Sequence, residues 1–410
     1  SAEVFEYLQH AEDYGIKVGS VRPMFDKVVS RSRSVADKMS KGIGFLFRKN
    51  KIDTLEGFGK VTRDQKVEVT AEDGKKTTYA AQHIIVATGA RSRELPHMPI
   101  DGKKIIGYRG ALALAKQPKS MIVVGSGAIG SEFAYFYAAM GTEVTLIEYV
   151  DRIVPAEDEE VSQALARSFK KRGIKVMTSS EVTAVDTKGR GVTATVKTKK
   201  GEVKVEADML LSAVGIVPNT ENIGLEALGI KTNRGQVVVD DYYRTNVPNI
   251  YAIGDIVHGP ALAHVASAEG IICVEKIKGM EHLDALDYNN IPGCTYCQPE
   301  IASVGYTEKK AKEAGYEIKV GKFPFSASGK ATAAGKTEGF VKVIFDAKYG
   351  EWLGAHFIGA NVTEMIAEVV AARKLETTGH EMIKTVHPHP TMSEAVMEAC
   401  AAAYDEVIHL

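Results

Sequence analysis

Three glycines in the segment SMIVVGSGAIGSEFAYFYAAMGTEVTLIEY have the spacing of a phosphate-binding turn. Gly125, Gly127 and Gly130 form Gly-x-Gly-x-x-Gly between an apolar run and a helical pattern. A tight turn, a close pyrophosphate and a packed helix each require a missing side chain at these places. The next strand ends in Glu148, whose carboxylate can accept hydrogen bonds from an adenosine ribose and repels a 2′-phosphate. The pattern predicts an NAD site; the alternative is a glycine turn that only packs a helix on a sheet.

A histidine between two prolines near the C-terminus is a candidate general base. In HPHPTMSEAVMEA, the prolines fix the backbone around His389, and Glu394 follows in the first turns of a helix. A carboxylate beside an imidazole raises its basicity and fixes its tautomer. The alternative is a capped helix behind a stiff loop, and His387 competes with His389 for the role.

Two short runs elsewhere end in the way that dinucleotide sites end. HIIVATGAR is an apolar strand that opens into a turn of small residues, and NIYAIGDI ends in Gly254-Asp255 before a helix that begins near Leu262. An aspartate at the end of a strand can bind a ribityl hydroxyl, and a helix N-terminus attracts an anionic reduced flavin. Each run alone is typical of a plain strand–loop junction. A second nucleotide site is nevertheless what a flavin- and nicotinamide-dependent enzyme needs.

The four cysteines are too few to cross-link a chain of 410 residues and indicate a reducing compartment. Cys294 and Cys297 form a C-x-x-C pair, but the residues after them offer no helix N-terminus that would lower a thiolate pKa. Residues three apart in a strand also point to opposite faces. Since no second ligand pair is evident, we expect neither a redox pair nor a metal site here.

Composition excludes several classes of protein. The chain has 51 Lys and Arg against 52 Asp and Glu, without the basic patch of a nucleic-acid binder. No apolar run reaches the roughly 20 residues that span a bilayer, and the N-terminal SAEVFEYLQHAEDYG lacks the pattern of a secretion signal. The sequence therefore predicts a cytoplasmic enzyme that acts on neither nucleic acid nor membrane.

The elements that would position these residues follow from periodicity. Helical spacing covers residues 2–50, and a β pattern with a turn at Asp73-Gly74 covers residues 53–90. A β-α-β unit is predicted over residues 120–147. Further predicted elements are a helix at 159–172, a hairpin region at 182–205, a strand at 208–215, a helix at 262–278, and, in a separate α+β region from residue 289, alternating strands with helices at 363–373 and 391–404.

GSGAIGSE, then ATGA and GD in that order, and finally HPHPTMSE together resemble the pyridine-nucleotide disulfide oxidoreductases. Glu148 and the following DRIVPAEDEEVS are similar to the dihydrolipoamide dehydrogenases of that family, and the likeness covers essentially the whole chain. The resemblance implies NAD contacts by Gly125, Ser126, Gly127, Ala128, Ile129, Gly130, Ser131, Glu132, Glu148, Val182 and Gly215. It implies FAD contacts by Gly59, Thr88, Gly89, Ala90, Asp255, Ala261, Leu262, Ala263 and His264. It also implies that His389 is the catalytic base and Glu394 its partner.

Such enzymes oxidise dihydrolipoyl groups on the lipoyl domains of 2-oxoacid dehydrogenase or glycine-cleavage complexes. The resemblance implies that His389 takes a thiol proton while electrons pass through a disulfide and FAD to NAD. Because the histidine reaches the disulfide of the partner subunit in this family, a homodimer is expected, in the cytoplasm or, for a eukaryotic source, the mitochondrial matrix. Two alternatives stay open: another flavin disulfide reductase, which a preference for NADPH would indicate, and a catalytically inactive nucleotide-binding dimer, which a lack of flavin would indicate.

The sequence departs from the family pattern at its start. Members begin with a first G-x-G-x-x-G for the ADP half of FAD and then a C-x-x-x-x-C pair, whereas here no cysteine precedes Cys273. The lysine expected to pair with Glu132 belongs to the same segment. We therefore expect a fragment of a longer chain, and the intact mass of the protein tests this expectation.

The predicted fold class is α/β, with doubly wound FAD- and NAD-binding domains, the FAD domain truncated, and a C-terminal α+β dimerisation domain. The predicted boundaries are 1–115 for the remainder of the FAD-binding domain, 116–240 for the NAD-binding domain, 241–288 for the return to the FAD domain and 289–410 for the dimerisation domain.

Overall fold

The computed structural model describes residues 1–410 and divides the chain into two compact units. The first unit comprises residues 1–30, 94–215 and 289–410, and the second comprises residues 31–93 and 216–288. None of the helices is long and apolar enough to cross a membrane.

The chain forms eleven α-helices and 22 β-strands, numbered in chain order. The helices are α1 (Ala2–Gln9), α2 (Phe25–Lys49), α3 (Tyr108–Ala111), α4 (Ala128–Ala139), α5 (Glu159–Lys171), α6 (Ala263–Ile277), α7 (Glu308–Glu313), α8 (Gly329–Ala333), α9 (Val362–Lys374), α10 (Gly379–Lys384) and α11 (Glu394–Ala403). The strands are β1 (Phe58–Val61), β2 (Lys66–Thr70), β3 (Lys76–Ala80), β4 (Ile84–Val86), β5 (Ala90–Ser92), β6 (Ile105–Ile106), β7 (Ser120–Val124), β8 (Glu143–Ile147), β9 (Lys175–Met177), β10 (Glu181–Asp186), β11 (Val192–Thr198), β12 (Gly201–Ala207), β13 (Met209–Ser212), β14 (Ile216–Pro218), β15 (Thr232–Asn233), β16 (Gln236–Val237), β17 (Ile250–Ala252), β18 (Gly293–Thr295), β19 (Glu300–Gly305), β20 (Ile318–Pro324), β21 (Phe340–Asp346) and β22 (Trp352–Gly359).

A five-stranded parallel sheet in the first unit carries the glycine-rich turn. Its strand order is β6-β13-β7-β8-β9, with β7 in the middle. The strand sequences are nearly continuous apolar runs because parallel sheets are covered on both faces. Ile122, Val123 and Leu211 are fully buried in them. The turn after β7 therefore leaves the carboxyl edge of the sheet, where nucleotides bind in such folds.

The first unit also contains an antiparallel sheet of five strands, in the order β18-β19-β22-β21-β20. Strands β21 and β22 are buried along their whole length. Helices α9 and α11 cover this sheet, and Val369, Val396 and Cys400 pack into its core. The loop between α10 and α11 is thus held at both ends by helices with buried faces.

The second unit brings two site loops to one edge. Strands β4 and β17 pair in parallel, with Ile84 opposite Ile250 and Val86 opposite Ala252. Because the two strands end at the same level, the ATGA and GD turns leave the pair side by side. A three-stranded antiparallel sheet, β1-β2-β3, belongs to the same unit.

Most predicted elements are confirmed, including the β-α-β unit, the Asp73-Gly74 hairpin, and the helices at α5, α6 and α9. Residues 15–24 contain no helix, and α11 begins at Glu394, three residues later than predicted. The local sequence pattern did not predict the strands β18 and β20 or the short helices α7, α8 and α10. Strand β20 is defined by pairing with β21 over its full length, which no local pattern reveals.

Candidate functional site

The three glycines of the turn after β7 have different surroundings. Gly125 has φ +95°, and a Cβ there would lie 2.4 Å from the Ala213 carbonyl oxygen. A Cβ on Gly130 would lie 1.8 Å from the Gly125 carbonyl oxygen, whereas one on Gly127 would meet nothing within 4 Å. Gly127 is also the N-cap of α4, and no side chain caps this helix. The turn thus leaves open space against unpaired N–H groups and a positive helix terminus, which suits a pyrophosphate.

Hydrogen bonds to the Glu148 carboxylate fix the backbone of this turn. One carboxylate oxygen accepts hydrogen bonds from the Ser126 N–H at 2.8 Å and the Ser126 hydroxyl at 2.6 Å. The other accepts from the Val150 N–H at 3.0 Å. Each carboxylate oxygen has two lone pairs, so Oε1 keeps one that can receive a ribose hydroxyl. The predicted NAD-selecting carboxylate is therefore also the residue that shapes the glycine turn.

The other residues predicted for NAD lie around the same edge of the sheet. Ala128 and Ile129 form the first turn of α4, and the Ser131 hydroxyl donates to the Ser126 carbonyl at 3.0 Å. Gly215 follows β13 with φ +111°, and Val182 is buried in β10.

Glu132, on α4, has a partner in place of the expected lysine. Its Oε1 accepts the Tyr296 N–H at 2.9 Å. Burial raises the pKa of Glu132, and this hydrogen bond opposes the effect without cancelling it. Glu132 therefore has a hydrogen-bond partner within this chain, because the loop after β18 supplies a backbone donor that no sequence motif marks.

The ATGA turn in the second unit is clamped to the loop after β14. The Thr88 hydroxyl donates to the Asn219 carbonyl at 2.6 Å, and the Asn219 side chain donates back to the Thr88 carbonyl at 3.1 Å. Gly89 has φ +67°, a conformation that glycine adopts freely. Ala90 opens β5 beside it, and Gly59 lies in β1, opposite Val69. The turn presents backbone atoms and small side chains, as close contact with a dinucleotide requires.

The GD turn is fixed by a buried glutamate that sequence analysis missed. Glu269 on α6 accepts the Gly254 N–H at 2.6 Å and the Tyr288 hydroxyl at 2.7 Å. It is 1% exposed, and burial raises its pKa against the effect of these hydrogen bonds. Gly254 has φ +73°, so the chain turns sharply and leaves Asp255 partly exposed. Glu269 is an acidic residue in the second turn of the mainly apolar helix α6, and this was the only feature of the sequence that could have indicated its role.

Helix α6 begins directly after this turn. Leu262 is its N-cap without a side-chain cap, and Ala261, Ala263 and His264 are exposed around it. An uncapped helix of 15 residues offers N–H groups and positive potential to an anionic group. With Asp255 as a ribityl acceptor beside it, the residues present fit a flavin dinucleotide.

His389 and Glu394 form a hydrogen-bonded pair. His389 Nδ1 lies 2.8 Å from Glu394 Oε1, while Glu394 Oε2 accepts the Thr391 N–H at 2.8 Å. Burial opposes ionisation of Glu394, but these two hydrogen bonds outweigh it and lower the pKa of Glu394. An ionised Glu394 keeps the proton of a neutral imidazole on Nδ1. The side chain of His389 is 78% exposed, so Nε2 is free to take a proton from another molecule.

His387 has a different environment from His389. Its side chain is 5% exposed, Nε2 lies 2.6 Å from Glu368 Oε1, and Nδ1 lies 3.0 Å from the Thr385 carbonyl oxygen. With both ring nitrogens engaged, His387 has no nitrogen with which to receive a substrate proton. The geometry therefore favours His389 as the base.

The two cysteines of the C-x-x-C pair lie in the first unit in two separate packing environments. Cys294 lies in β18 and packs against the core of the antiparallel sheet, whereas Cys297 lies beyond the strand in the core of the parallel sheet. Both thiols are free, and burial raises the pKa of each. The residues have the properties of packed cysteines rather than of a reactive pair.

Comparison with known proteins agrees with this geometry. Residues 6–270 match the family described as pyridine nucleotide-disulphide oxidoreductase, and residues 291–400 match its dimerisation domain. A dihydrolipoyl dehydrogenase of Zymomonas mobilis is 48% identical over 412 residues, covering 100% of this chain and 88% of that protein. One from Rhizobium etli is 49% identical over 426 residues with the same two coverages. The crystal structure of LpdA from Mycobacterium tuberculosis superposes with a TM-score of 0.90 at 28% identity, over 97% of this chain and 87% of that one.

The fold and the site define a flavin- and nicotinamide-dependent oxidoreductase. More particularly, the chain belongs to the pyridine nucleotide-disulphide oxidoreductase family. It is an NAD-dependent flavoprotein disulfide oxidoreductase whose cofactors are FAD and NAD. The predicted family and the predicted α/β fold class with a C-terminal dimerisation domain are confirmed.

Proposed function

We propose that this protein is a dihydrolipoyl dehydrogenase, which converts a dihydrolipoyl dithiol and NAD⁺ to a lipoyl disulfide, NADH and a proton. The observation that carries the proposal is the exposed Nε2 of His389, backed by an ionised Glu394. Support comes from relatives of that name that are 48% and 49% identical over this whole chain. A thiol substrate needs a base of this kind, because the thiolate and not the thiol gives up electrons.

The proton chemistry follows from the His389 pair. Nε2 accepts a proton from a substrate thiol, and the resulting imidazolium is stabilised by the carboxylate of Glu394 at Nδ1. The Thr391 N–H holds the second carboxylate oxygen and so fixes the direction of the pair. When bound, FAD supplies the two-electron relay between thiols and NAD.

The nucleotide sites are assigned as part of the same proposal. The glycine turn, the N-terminus of α4, Glu148, Val182 and Gly215 would hold NAD, and Glu148 would select it over NADP. The ATGA turn, Gly59, Asp255 and the residues from Ala261 to His264 would hold FAD. The domain boundaries at residues 115, 240 and 288 remain part of this proposal.

We further propose that the protein acts as a homodimer on the lipoyl domains of a 2-oxoacid dehydrogenase or glycine-cleavage complex. The match to the dimerisation domain supports pairing, and the outward direction of His389 supports a base that serves a neighbouring subunit. A cytoplasmic location, or the mitochondrial matrix in a eukaryote, is the compartment in which such complexes work.

The test is the variant His389→Gln in the FAD-loaded dimer. Oxidation of dihydrolipoamide by NAD⁺ should fall about 10²-fold to 10⁴-fold, since a positioned general base contributes this much. Reduction of a dye by NADH needs no thiol base and should stay at the wild-type rate. Equal loss of both activities would contradict the assigned role, and a wild-type protein that carries the redox-active cysteine pair and binds FAD but does not oxidise dihydrolipoamide would overturn the function.

Coenzyme preference and flavin content separate the alternatives. We expect NADH to be preferred to NADPH, because Glu148 repels a 2′-phosphate. A preference for NADPH would favour another flavin disulfide reductase. Purified protein without flavin and without NADH-dye reductase activity would favour the catalytically inactive nucleotide-binding dimer.

A further inference from the structure

The imidazole of His387 faces a hydrogen-bond acceptor at each nitrogen. Nε2 lies 2.6 Å from the Glu368 carboxylate, and Nδ1 lies 3.0 Å from the Thr385 carbonyl oxygen. A neutral imidazole has one donor and one acceptor nitrogen, whereas an imidazolium has two donors. A neutral His387 would set a lone pair against an oxygen at one of these two contacts, whereas the imidazolium satisfies both.

The surroundings of His387 favour the same state. The side chain of His387 is 5% exposed, and its contact with Glu368 is partly buried, so water competes less for this nitrogen than it would at an open surface. The ionisable groups that face it are Glu368 from α9 and Glu394 from α11. The thiol of Cys400, on α11, faces Glu368, and burial raises its pKa, so it stays neutral. The hydrogen bond to Glu368 raises the pKa of His387 against the effect of burial, which favours the charged form of the ring.

A charged His387 acts on the pair formed by its near neighbour. It ties the loop that carries His389 to α9, 19 residues away along the chain. Burial raises the pKa of Glu394, the hydrogen bonds from Thr391 and His389 outweigh it, and His387 adds a smaller lowering. Together with Glu368 it forms a neutral ion pair behind the catalytic base, so the pair orders the loop without adding net charge.

We propose that His387, protonated and paired with Glu368, is a positioning residue that holds His389 and Glu394 in their working geometry for thiol oxidation. The mechanistic half of this proposal rests on the proposed dihydrolipoyl dehydrogenase function. The protonation state of His387 does not rest on it, because the two acceptors are present whatever the substrate is.

The first measurement is the nitrogen-15 spectrum of the histidine side chains in the FAD-loaded protein, with His387→Gln used to identify the signals. We expect both His387 nitrogens to have the shifts of an imidazolium near neutral pH and to lose them only as the pH rises through its raised pKa. In Glu368→Gln they should show a neutral ring near neutral pH. A neutral His387 in the wild-type protein at neutral pH would overturn the proposal, even if the enzyme proved to act on another substrate.

The second measurement is the pH dependence of kcat/KM for dihydrolipoamide. In His387→Gln the charge of Glu368 is left uncompensated, so the acid limb of the profile should move to higher pH. The double variant His387→Gln/Glu368→Gln restores neutrality, and its limb should return toward the wild-type position. In both variants kcat should fall about 10-fold with little change in KM, since the base is less well held.

His409→Gln is the matched control. Like His387, His409 pairs with a glutamate on a helix, here Glu398 of α11 at 2.5 Å, but the side chain of His409 is 68% exposed. Its kcat and acid limb should equal those of the wild type. An unmoved acid limb together with a wild-type rate in His387→Gln would refute the positioning role. If His387→Gln does not fold, Glu368→Gln is measured instead. A neutral His387 ring and a reduced kcat in Glu368→Gln would support the positioning role, and a wild-type spectrum and rate would refute it.

Discussion

The two histidines of HPHP are separated by one proline, yet their environments assign them opposite tasks. His389 projects Nε2 outward and can exchange a proton, whereas His387 has both nitrogens committed to acceptors. Glu394 could be identified from the sequence, because it lies five residues after His389 at the start of a helix. Glu368 could not, because it lies on α9 and reaches His387 only through the packing of two helices.

Glu394→Gln tests the role of the carboxylate beside His389. The amide can still accept the Nδ1–H of His389, but it no longer supplies the negative charge that stabilises an imidazolium. We expect kcat for dihydrolipoamide oxidation to fall about 10²-fold, with NADH-dye reductase activity unchanged. Glu406→Gln, an exposed glutamate just beyond the same helix, is the control and should behave as wild type. An equal rate for the two variants would remove Glu394 from the mechanism.

Among the elements, the β-α-β unit was the most predictable because its strand, turn and helix patterns are local and consecutive. The glycine spacing alone did not reveal that Gly125 and Gly130 serve packing while Gly127 leaves open space. The sequence pattern also did not indicate that Lys342 is a buried, ion-paired residue. It stands in the apolar run FVKVIFD, yet it is 1% exposed and pairs with Asp158, Glu160 and Glu308 at 2.8 to 3.0 Å.

The glycine turn provides the second prediction. Gly130→Ala forces a methyl group against the Gly125 carbonyl oxygen, which should cost about 1–3 kcal/mol and lower the melting temperature of the protein by several degrees. Gly127→Ala has room for its methyl group and should melt within about 1 °C of wild type. It should nevertheless weaken NADH binding about 10-fold, because its methyl group occupies space that the pyrophosphate needs. Normal NADH affinity in Gly127→Ala would contradict this placement of the coenzyme.

Lys342 provides the third prediction. Lys342→Met leaves three carboxylates around an uncharged side chain and should destabilise the first unit by about 3–5 kcal/mol in urea unfolding. Lys322→Met is the control, because Lys322 pairs with Glu160 from a half-exposed position and should change stability by about 1 kcal/mol or less. Similar decreases in the free energy of unfolding of the two variants would show that the buried lysine contributes no more to stability than the half-exposed one.

The same cluster predicts how stability depends on pH. Hydrogen bonds from Lys312 and Lys342 lower the pKa of Glu308 from 4.5 to about 2. Since the folded pKa is the lower one, this contribution is complete above the unfolded value and is lost as the pH falls toward 2. The free energy of unfolding of the wild type should therefore decline across this window. The decline should be shallower in Lys342→Met, and identical slopes would contradict the assignment.

For the whole molecule, the sequence motifs together predicted the family and the fold class, because they occur in the right order over nearly the entire chain. The placement of the four thiols was accessible only in part. The two cysteines of C-x-x-C were expected not to act as a pair, but their insertion into two different cores follows from tertiary packing. The proposed domain boundaries stay a prediction.

Thiol titration tests where the four cysteines lie in the fold. Cys273, Cys297 and Cys400 are buried, and burial raises the pKa of Cys273 to about 11, while Cys294 is partly exposed. In residues 1–410 of the native protein, only Cys294 should react promptly with a thiol reagent, and all four should react after denaturation. Cys294→Ser should abolish the prompt reaction. Fewer than four reactive thiols in denaturant would reveal a disulfide that the fold does not contain.

The two hydrogen bonds from Ser126 to Glu148 limit how the coenzyme preference of the protein can be changed. The substitution Glu148→Arg, made to bind the 2′-phosphate of NADP, would remove the acceptor of two buried donors, the Ser126 N–H and hydroxyl. Each stranded donor costs about 1–3 kcal/mol. A successful conversion therefore has to rebuild the residues between the first two glycines together with the acid, and single exchanges at the end of β8 should yield a weaker enzyme rather than one with a new preference.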